Sequence, residues 1–397
     1  MGAGAVGAST AVHLASIGHK VLILEKEGGP ALHQSGRNSG IIHAGYNLKP
    51  GTLKARLCVE GSQRLRAYCR EHRIPMHQGG ILVIARSEAE CTTLTELLRR
   101  AEANGVEARL VDSADISSIE PEARGFQGLH APEGASFDAK SYVQSLIADA
   151  VDRGAEVLYN TRVIAIEDPS VHGLASSPVS VTTSTGVVVC EVAVNCAGLH
   201  ADRLAGSLSS DFRIIPFRGY YAELTPSARD LVVSHVYPAP DLRFPFLGVH
   251  VSRRVDGRVL VGPGAMLAFA REGYQFAEVR WRDLLDTLTW PGFYRLLRRP
   301  EFVRLTLKET LKCLSLRRIW AEASLLIPAL KPGDLKWSYA GNRAQLLSRA
   351  GELLEDFVLR ETPKTIHVLN AVSPGLTSSL PFGELLANRC HEKLDGS

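Results

Sequence analysis

The first seven residues place Gly2, Gly4 and Gly7 at the spacing G-x-G-x-x-G. The apolar segment 8–17 follows and is predicted to be a helix, and the branched apolar run 21–24 is predicted to be a strand. In this order the glycines have separate tasks. The first permits a tight turn, the second lets the backbone approach a diphosphate, and the third lets helix and strand pack closely. The sequence therefore predicts a dinucleotide-binding unit.

Residues around this unit complete the predicted nucleotide contacts. The N-terminus of the predicted helix offers free N–H groups to phosphate oxygens, and Val6 within the glycine motif is a further predicted cofactor contact. Glu25 follows the strand directly, where a carboxylate accepts hydrogen bonds from ribose hydroxyls, and Lys26 comes next. The motif ordinarily follows a β-strand at the centre of the sheet. No such strand precedes Gly2 in this sequence, so we expect the first strand to be missing, with a loss of stability and of cofactor affinity.

A polar, glycine-rich stretch after the ribose position favours FAD over NAD. It supplies hydroxyl, amide and backbone N–H groups for a second passage along a diphosphate, and a surface loop is the alternative interpretation. The predicted cofactor contacts in this stretch are Ser35, Arg37, Asn38, Ser39 and Gly40. A later β-run, 194–196, ends in Ala197-Gly198 and suits a strand that passes beside the cofactor. Val163 is a further predicted contact.

Composition and charge exclude several classes of protein. The chain has 397 residues, of which 45% are hydrophobic and 22% charged, as in ordinary globular proteins. A net charge of +3 is too small to indicate nucleic-acid binding, and we expect none. The seven cysteines show no CxxC spacing, which favours reduced thiols over disulfides or zinc, and no metal site is predicted. No apolar run approaches the ~20 residues that span a bilayer.

Longer blocks of sequence carry a more specific resemblance. They are RNSGIIHAG (37–45), RFPFLGVH (243–250), AGNRAQ (340–345) and NAVSPGLTSSLPFG (370–383). In these blocks the chain resembles the L-2-hydroxyglutarate dehydrogenase/oxidase family, which are FAD enzymes of the D-amino-acid-oxidase-like superfamily. The resemblance runs in order along essentially the whole chain.

The resemblance implies an α/β fold with α+β parts. A Rossmann-like FAD-binding domain would be interleaved with a mixed-sheet substrate domain. We assign 1–75, 140–210 and 336–397 to the FAD-binding domain, and 76–139 and 211–335 to the substrate-binding domain. Two interleaved halves fold together, so no flexible linker is expected between them.

The resemblance also implies a reaction, the oxidation of L-2-hydroxyglutarate to 2-oxoglutarate. A hydride would move from Cα to flavin N5 while the hydroxyl proton leaves to a base. Our candidate bases are His43 and His250, because histidine titrates in the required range. The chain has 13 histidines, so a hydrogen-bonded structural role is the alternative for each of the two.

A dicarboxylate substrate needs cationic anchors, and the fork of arginine binds a carboxylate through two hydrogen bonds. Arg243 interrupts an aromatic, proline-bounded segment, and Arg343 lies in a turn-rich segment. Lys54 and Arg218 are further candidates, and Tyr221 would donate a hydrogen bond to the substrate. Scaffold or solvated ion pairs are the alternative for the cations, and a core position is the alternative for the tyrosine.

The C-terminal block supplies the third predicted flavin contact. Gly375, Leu376 and Thr377 would bring a helix N-terminus against the pyrimidine edge of the flavin. Its N–H groups and dipole would stabilise negative charge that develops there on reduction. An ordinary capped helix start at Thr377 or Ser378 is the alternative.

Segment 277–320 is basic and amphipathic in places, with several tryptophan, leucine and arginine residues. Such a surface would suit peripheral association with an anionic membrane. We favour instead a pair of helices on the substrate domain with solvated arginines. The electron acceptor is open between a quinone, oxygen and an electron-transfer flavoprotein.

Two further functions remain open from the sequence. One is another FAD-dependent oxidation in the same superfamily, with glycerol 3-phosphate or an amino acid as substrate. The other is a truncated relative that no longer holds FAD. We expect a reducing compartment: the cytoplasm or the inner face of a membrane for a bacterial protein, and the mitochondrion for a eukaryotic one.

Overall fold

The computed structural model describes residues 1–174, 176–242 and 248–395. The N-terminal unit has the predicted order of a glycine turn, a helix and a strand. The helix is Ala5–Ser16, and the strand is Leu22–Leu24. The helix begins earlier than predicted, because its N-cap is Gly4 in extended conformation within the glycine motif itself.

Helices and strands alternate along the described residues, which confirms the predicted mixed α/β class. The helices are α1 Ala5–Ser16, α2 Leu53–Glu71, α3 Glu88–Ala103, α4 Ser113–Ile119, α5 Ala139–Asp152, α6 Ala201–Ala205, α7 Trp281–Leu288, α8 Pro291–Leu297, α9 Pro300–Cys313, α10 Leu316–Ala323 and α11 Ser379–Asp395. The strands are β1 Leu22–Leu24, β2 Ile41–Ile42, β3 Met76–His77, β4 Ile81–Ala85, β5 Arg109–Val111, β6 Gln127–Ala131, β7 Ala135–Phe137, β8 Glu156–Leu158, β9 Val163–Glu167, β10 Val179–Thr183, β11 Gly186–Cys190, β12 Ala193–Asn195, β13 Phe212–Leu224, β14 His235–Pro238, β15 His250–Arg253, β16 Val259–Gly262, β17 Met266–Leu267, β18 Leu335–Ser348, β19 Val358–Glu361 and β20 Thr365–Asn370.

Two parallel strand pairs lie on either side of the N-terminal residues. β1 pairs with β8, and β12 pairs with β20, which also carries antiparallel β19. The N-terminal amine of Met1 donates to the Val194 carbonyl oxygen at 2.8 Å, and Gly2 N donates to the Leu24 oxygen at 2.8 Å. Met1 and Gly2 therefore connect the two pairs at the position predicted for the first strand. Among the residues that the structure describes, no strand precedes α1.

Helix α1 packs against α5 and α11 through small side chains. Ala8, Ala11 and Ala15 are buried in this contact. A Cβ atom on Gly383 of α11 would lie 2.3 Å from the Ser9 hydroxyl oxygen, so the glycine is what lets the two helices approach this closely. The close packing fixes the N-terminus of α1 beside the sheet.

A large mixed sheet forms the second part of the fold, in the order β17-β13-β16-β15-β14-β4-β6-β5. β18 pairs with β13 along most of its length, so these two strands form an antiparallel ribbon. One face of the sheet packs on an aliphatic core that includes Val236, Val251 and Val261. Because side chains alternate along a strand, His235, Tyr237 and His250 belong to the opposite face.

Three further features complete the fold. β2, β7 and β3 form a small antiparallel sheet, and β9, β10 and β11 form another. The predicted amphipathic segment contains four short helices, α7 to α10. The domain boundaries stay a prediction, and β18, which we assigned to the FAD-binding domain, pairs with β13 of the other domain. Among the described residues, we find no helix with the length and apolar character needed to cross a membrane.

Candidate active site

A cavity of about 900 Å³ lies where the parallel strands, the ribbon and the C-terminal segment meet. It brings together most of the residues predicted from the sequence. The predicted residues that line it are Gly2, Gly4, Val6, Glu25, Lys26, Ser35, Arg37, Asn38, Ser39, His43, Val163, Ala197, Gly198, Tyr221, His250, Arg343, Gly375, Leu376 and Thr377. Arg243 lies outside the described residues.

The glycine motif has the backbone geometry that its spacing predicts. Gly2 has a positive φ of 92°, and a Cβ atom there would lie 2.7 Å from the Cys196 carbonyl oxygen. Gly7 does not line the cavity, because it packs behind the turn, where a Cβ atom would lie 2.0 Å from the Gly2 oxygen. Gly4 lines the cavity and is the N-cap of α1. The N–H groups of this helix start therefore face the cavity, as a diphosphate requires.

The carboxylate of Glu25 is held at the end of β1 by the backbone. One of its oxygens accepts from Ala3 N at 2.7 Å, and the other accepts from Glu27 N at 2.9 Å. The side chain is buried but lines the cavity. Two backbone donors fix the carboxylate in the orientation that binding of a ribose diol needs.

The polar stretch after the ribose position folds against α1 and the ribbon. The Ser35 hydroxyl accepts from Ala5 N at 3.0 Å, which joins this stretch to the helix start. The Arg37 guanidinium lies over the ring of Tyr274, 3.9 Å from its centroid. Gly40 does not line the cavity. Its N–H donates to the Asn38 side chain at 2.8 Å and it has a positive φ of 70°, so it turns the chain away.

The segment after β12 and the segment before α11 close two further sides. Ala197 N donates to the Asn195 side chain at 3.1 Å, and Gly198 has a positive φ of 53°. The Thr377 hydroxyl oxygen accepts from His43 N at 3.1 Å. Helix α11 begins at Ser379, so the predicted contacts 375–377 form the turn before the helix.

Both candidate bases line the cavity and both are buried. Burial, with a smaller contribution from the charge of Lys54, lowers the pKa of His43 to about 4. Burial also lowers the pKa of His250 to about 3, although a hydrogen bond to the Gly248 carbonyl opposes this. Both imidazoles are therefore neutral near pH 7 and able to accept a proton. The Nδ1 atom of His43 is buried and finds no hydrogen-bond partner in the part of the chain that the structure describes.

Arg343 and Tyr221 lie on the ribbon beside these histidines. Both line the cavity, and Tyr221 is buried with its ring 5.0 Å from that of Tyr339. Burial raises the pKa of Tyr221, and the charge of Arg343 opposes the rise. The same charge contributes to the low pKa of His250. A guanidinium, two neutral imidazoles and a protonated phenol thus line the same cavity.

The structure does not bring Arg218 or Lys54 to the cavity. Gly219 lines the cavity, so the side chain of its neighbour Arg218 belongs to the opposite face of the strand. The Nε atom of Arg218 donates to the Asn342 side chain at 3.2 Å. Lys54 lies in the first turn of α2, where its backbone N–H donates to Asp356 at 2.8 Å. Burial lowers the pKa of Lys54, and its charge acts on His43 through space.

Comparison with known proteins identifies the family. Residues 1–389 match the family of FAD-dependent oxidoreductases. An L-2-hydroxyglutarate dehydrogenase of Indibacter alkaliphilus is 37% identical, over 96% of this chain and 96% of that protein. The enzyme of the same name from Escherichia coli K12 is 35% identical over 98% of this chain and 92% of that protein. The mitochondrial enzyme of Mus musculus is 36% identical over 99% and 88%.

The chain belongs to the L-2-hydroxyglutarate dehydrogenase family of FAD-dependent oxidoreductases. The resemblance seen in the sequence is thereby confirmed. Among solved structures, an L-α-glycerophosphate oxidase of Mycoplasma pneumoniae matches with a TM-score of 0.76 at 22% identity, over 99% of this chain and 93% of that one. A glycine oxidase of Geobacillus kaustophilus matches with a TM-score of 0.72 at 18% identity, over 98% and 93%. These two likenesses show the fold.

As a member of this family the chain is an FAD enzyme, and the geometry of the cavity fits that cofactor. Gly2 and Gly4 form a cradle that a Cβ atom would fill, Glu25 presents a fixed carboxylate, and the start of α1 presents N–H groups. A volume of about 900 Å³ lies in the range of cofactor sites. These residues would hold the ribose and diphosphate, and the segment 375–377 would contact the flavin.

One aromatic residue of the site was missed in the sequence. Tyr237 lines the cavity and stacks on His250, with ring centroids 4.2 Å apart and planes 15° from parallel. Burial raises the pKa of Tyr237, so its phenol stays protonated. The residue is near the predicted arginine segment, but its position opposite His250 depends on the pairing of β14 with β15, which no local pattern reveals.

An ion-pair network beside the cofactor residues was also missed. Glu272 accepts from Lys26 at 2.6 Å and lies 3.1 Å from His200, while His33 lies 2.8 Å from Glu27. The acidic and imidazole groups are close enough together to suggest a cation site. The ammonium of Lys26 lies 2.5 Å from Glu27, however, so a cation of the protein itself already pairs with these carboxylates.

Proposed function

We propose that this chain oxidises L-2-hydroxyglutarate to 2-oxoglutarate with bound FAD. The observation that carries the proposal is the convergence of His43, His250, Arg343 and Tyr221 in the same cavity as the cofactor residues. Relatives at 35–37% identity over nearly their whole length bear the name L-2-hydroxyglutarate dehydrogenase. The bound FAD supplies the acceptor for the hydride of the substrate.

The protein groups have distinct tasks in this reaction. Arg343 binds a carboxylate of the substrate, since its planar fork matches the two oxygens. A neutral His43 or His250 accepts the hydroxyl proton, and the bound carboxylates raise the affinity of that imidazole for a proton. Tyr221 and Tyr237 enclose the reacting carbon with protonated phenol rings and exclude water. Arg243 is a further candidate anchor for the second carboxylate.

The test is an absorption spectrum of the purified protein before and after anaerobic addition of substrate. We expect flavin bands that bleach with the L isomer of 2-hydroxyglutarate and persist with the D isomer. Bleaching only with glycerol 3-phosphate or an amino acid would assign the chain to another oxidation in the superfamily. A protein that stays colourless after incubation with FAD would favour the relative that holds no cofactor.

We also propose that the protein associates peripherally with an anionic membrane through α7. Trp281, Leu285 and Leu288 form an exposed stripe on α7 at helical spacing, with exposed Arg280 and Arg282 beside it. Exposed apolar residues bordered by cations are typical of helices that lie in a lipid interface. Wild-type protein should co-sediment with anionic vesicles and not with neutral ones, and Leu285→Glu should abolish this. Equal recovery with both vesicle types would refute the proposal.

A reducing compartment is the proposed location. The seven cysteines are free thiols, four of them buried, and burial raises the pKa of Cys58 to about 12. We propose the cytoplasm or the inner face of the membrane in a bacterium, and the mitochondrion in a eukaryote, as for the mitochondrial relative from Mus musculus. Fractionation of native cells tests the location.

A further inference from the structure

Residues 270–275, which we call the strap, contact both the ribbon of β13 and β18 and the cofactor residues. On the ribbon side the Asn342 side chain is buried, and its amide nitrogen donates to three carbonyl oxygens of the strap. The distances are 3.2 Å to the oxygen of Ala270, 2.8 Å to that of Arg271 and 2.9 Å to that of Gly273. A single side chain of the ribbon therefore holds the backbone of the strap.

A buried arginine of β13 supports the strap from the same side. Arg218 is 1% exposed, and its guanidinium donates to the Gln275 carbonyl oxygen and, at 3.2 Å, to the Asn342 side chain. A Cβ atom on Gly273 would lie 2.9 Å from Arg218 Nη2, so the glycine is what lets the strap approach the guanidinium. These partners are neutral, and among the described residues no carboxylate forms an ion pair with Arg218. Burial of this charge costs free energy that no ion pair offsets, which indicates that support of the strap is its role.

On its other side the strap contacts residues that line the cofactor cavity. Glu272 lines the cavity itself, pairs with Lys26 at 2.6 Å and lies 3.1 Å from His200 Nε2. The Tyr274 hydroxyl lies 2.6 Å from Nδ1 of His33. The three partners Lys26, His33 and His200 also line the cavity. The strap therefore bridges the ribbon and the cofactor side of the cavity.

The strap also has a fixed point behind the cavity. The guanidinium of Arg271 is fully buried, forms an ion pair with Asp202 and donates to the Leu199 carbonyl oxygen at 2.6 Å. The backbone N–H of Arg271 donates to Asp283 of α7 at 2.7 Å. Breaking a buried ion pair leaves a buried charge without its partner, which is strongly unfavourable. We therefore expect the strap to open on the far side of this point, at residues 272–275.

We propose that the strap retains FAD in its cavity, and that Arg218 and Asn342 are the positioning residues that hold the strap in place. Release of FAD then requires residues 272–275 to separate from Lys26 and His33, and a weaker support on the ribbon makes this separation faster. Asn342 lines the cavity, whereas Arg218 belongs to the opposite face of its strand and acts through the strap. Retention of FAD does not depend on the substrate, so this role and the proposed oxidation are tested separately.

Release of radiolabelled FAD into excess unlabelled FAD tests this role without substrate and without turnover. Arg218→Met removes the guanidinium and leaves no carboxylate unpaired, and Asn342→Leu keeps a side chain of similar size without the amide donors. Each should speed release at least about fivefold, which corresponds to the loss of one hydrogen bond. Asn104→Leu is the matched control, because the Asn104 amide donates to the carbonyl oxygens of Gly45 and Leu48, neither of which lines the cavity within the described residues. The control should release FAD at the rate of the wild type.

Amide hydrogen exchange of the same FAD-loaded proteins separates a local role from a general loss of stability. Peptides that cover 270–275 should exchange faster in both variants than in the wild type, and peptides from the rest of the chain should not. Unchanged exchange of the strap, or faster exchange throughout the protein, would overturn the positioning role. Faster exchange of the strap with unchanged FAD release would overturn retention, as would a wild type that does not hold FAD or an equal effect of Asn104→Leu. Faster release in Asn342→Leu alone would show direct contact with the cofactor in place of support through the strap.

Discussion

A buried histidine behind the active site should make the protein sensitive to acid. His235 on β14 is fully buried, and among the described residues neither of its ring nitrogens has a hydrogen-bond partner. His77 and His250 are the titratable groups whose charges act on it. Burial, together with smaller contributions from the charges of the two histidines, lowers the pKa of His235 from 6.5 to about 3. The unfolded chain therefore binds one more proton than the folded chain between about pH 6 and pH 3.

The size of the effect follows from this difference in pKa. As pH falls below 6.5, protonation stabilises the unfolded state alone, so the free energy of unfolding decreases. At pH 5 the decrease from this residue is about 2 kcal/mol, and below pH 6 it grows by about 1.4 kcal/mol for each pH unit. His235→Leu removes the titrating group and keeps a side chain of similar size. We therefore compare the free energy of unfolding of His235→Leu with that of the wild type at each pH. This difference should be about 2 kcal/mol more favourable to the variant at pH 5 than at pH 8.

Urea unfolding at saturating FAD, at pH 5 and pH 8, measures this double difference. His172→Leu is the matched control, because it makes the same substitution at an exposed histidine. A double difference near zero for His235→Leu would show that the folded protein protonates the ring as easily as the unfolded chain does. The argument from burial would then be refuted.

Three further predictions concern the cavity itself. The second-order rate constant of substrate-driven flavin bleaching, measured by stopped flow at low substrate concentration, should be flat from pH 5 to pH 8 and fall below about pH 4, because it reports the free enzyme, in which protonation of His43 or His250 removes the base; a break near pH 6.5 would contradict this. Gly2→Ala should weaken FAD binding at least about tenfold in a fluorescence titration, whereas Gly18→Ala, with a similar φ of 89° and no atom within 4 Å, should not. Glu272→Gln removes the carboxylate that pairs with Lys26 and His200, so it should speed FAD release about threefold in a chase with excess FAD analogue. An unchanged rate of release would show that these ion pairs do not contribute to cofactor binding.

Local patterns predicted the features that depend on neighbouring residues. The glycine spacing predicted the turn before α1, and the apolar runs predicted α1 and β1. The terminal carboxylate of Glu25 lies where the motif requires it. Each of these features depends on the order of residues within one helix and one strand, which the sequence displays directly.

Features that depend on strand pairing were not predictable. Arg218 looked like a substrate anchor, but strand alternation turns it to the other face of β13, toward its register partner Asn342. Tyr237 meets His250 only because β14 and β15 are neighbours. Glu272 forms an ion pair with Lys26, which is distant from it in the sequence. Nothing near these residues in the sequence indicates their partners.

The ribbon of β13 and β18 explains why the cofactor residues and the substrate residues can share so small a region. A Cβ atom on Gly341 would lie 2.0 Å from the Arg37 carbonyl oxygen, so the glycine is what lets the cofactor stretch lie directly on the ribbon. The side chain of Arg37 then extends over Tyr274, with its guanidinium carbon 3.9 Å from the ring centroid. Tyr221 and Arg343 of the same ribbon line the cavity of the active site. The contacts of the cofactor stretch and the residues proposed to bind the substrate therefore lie on the same two strands.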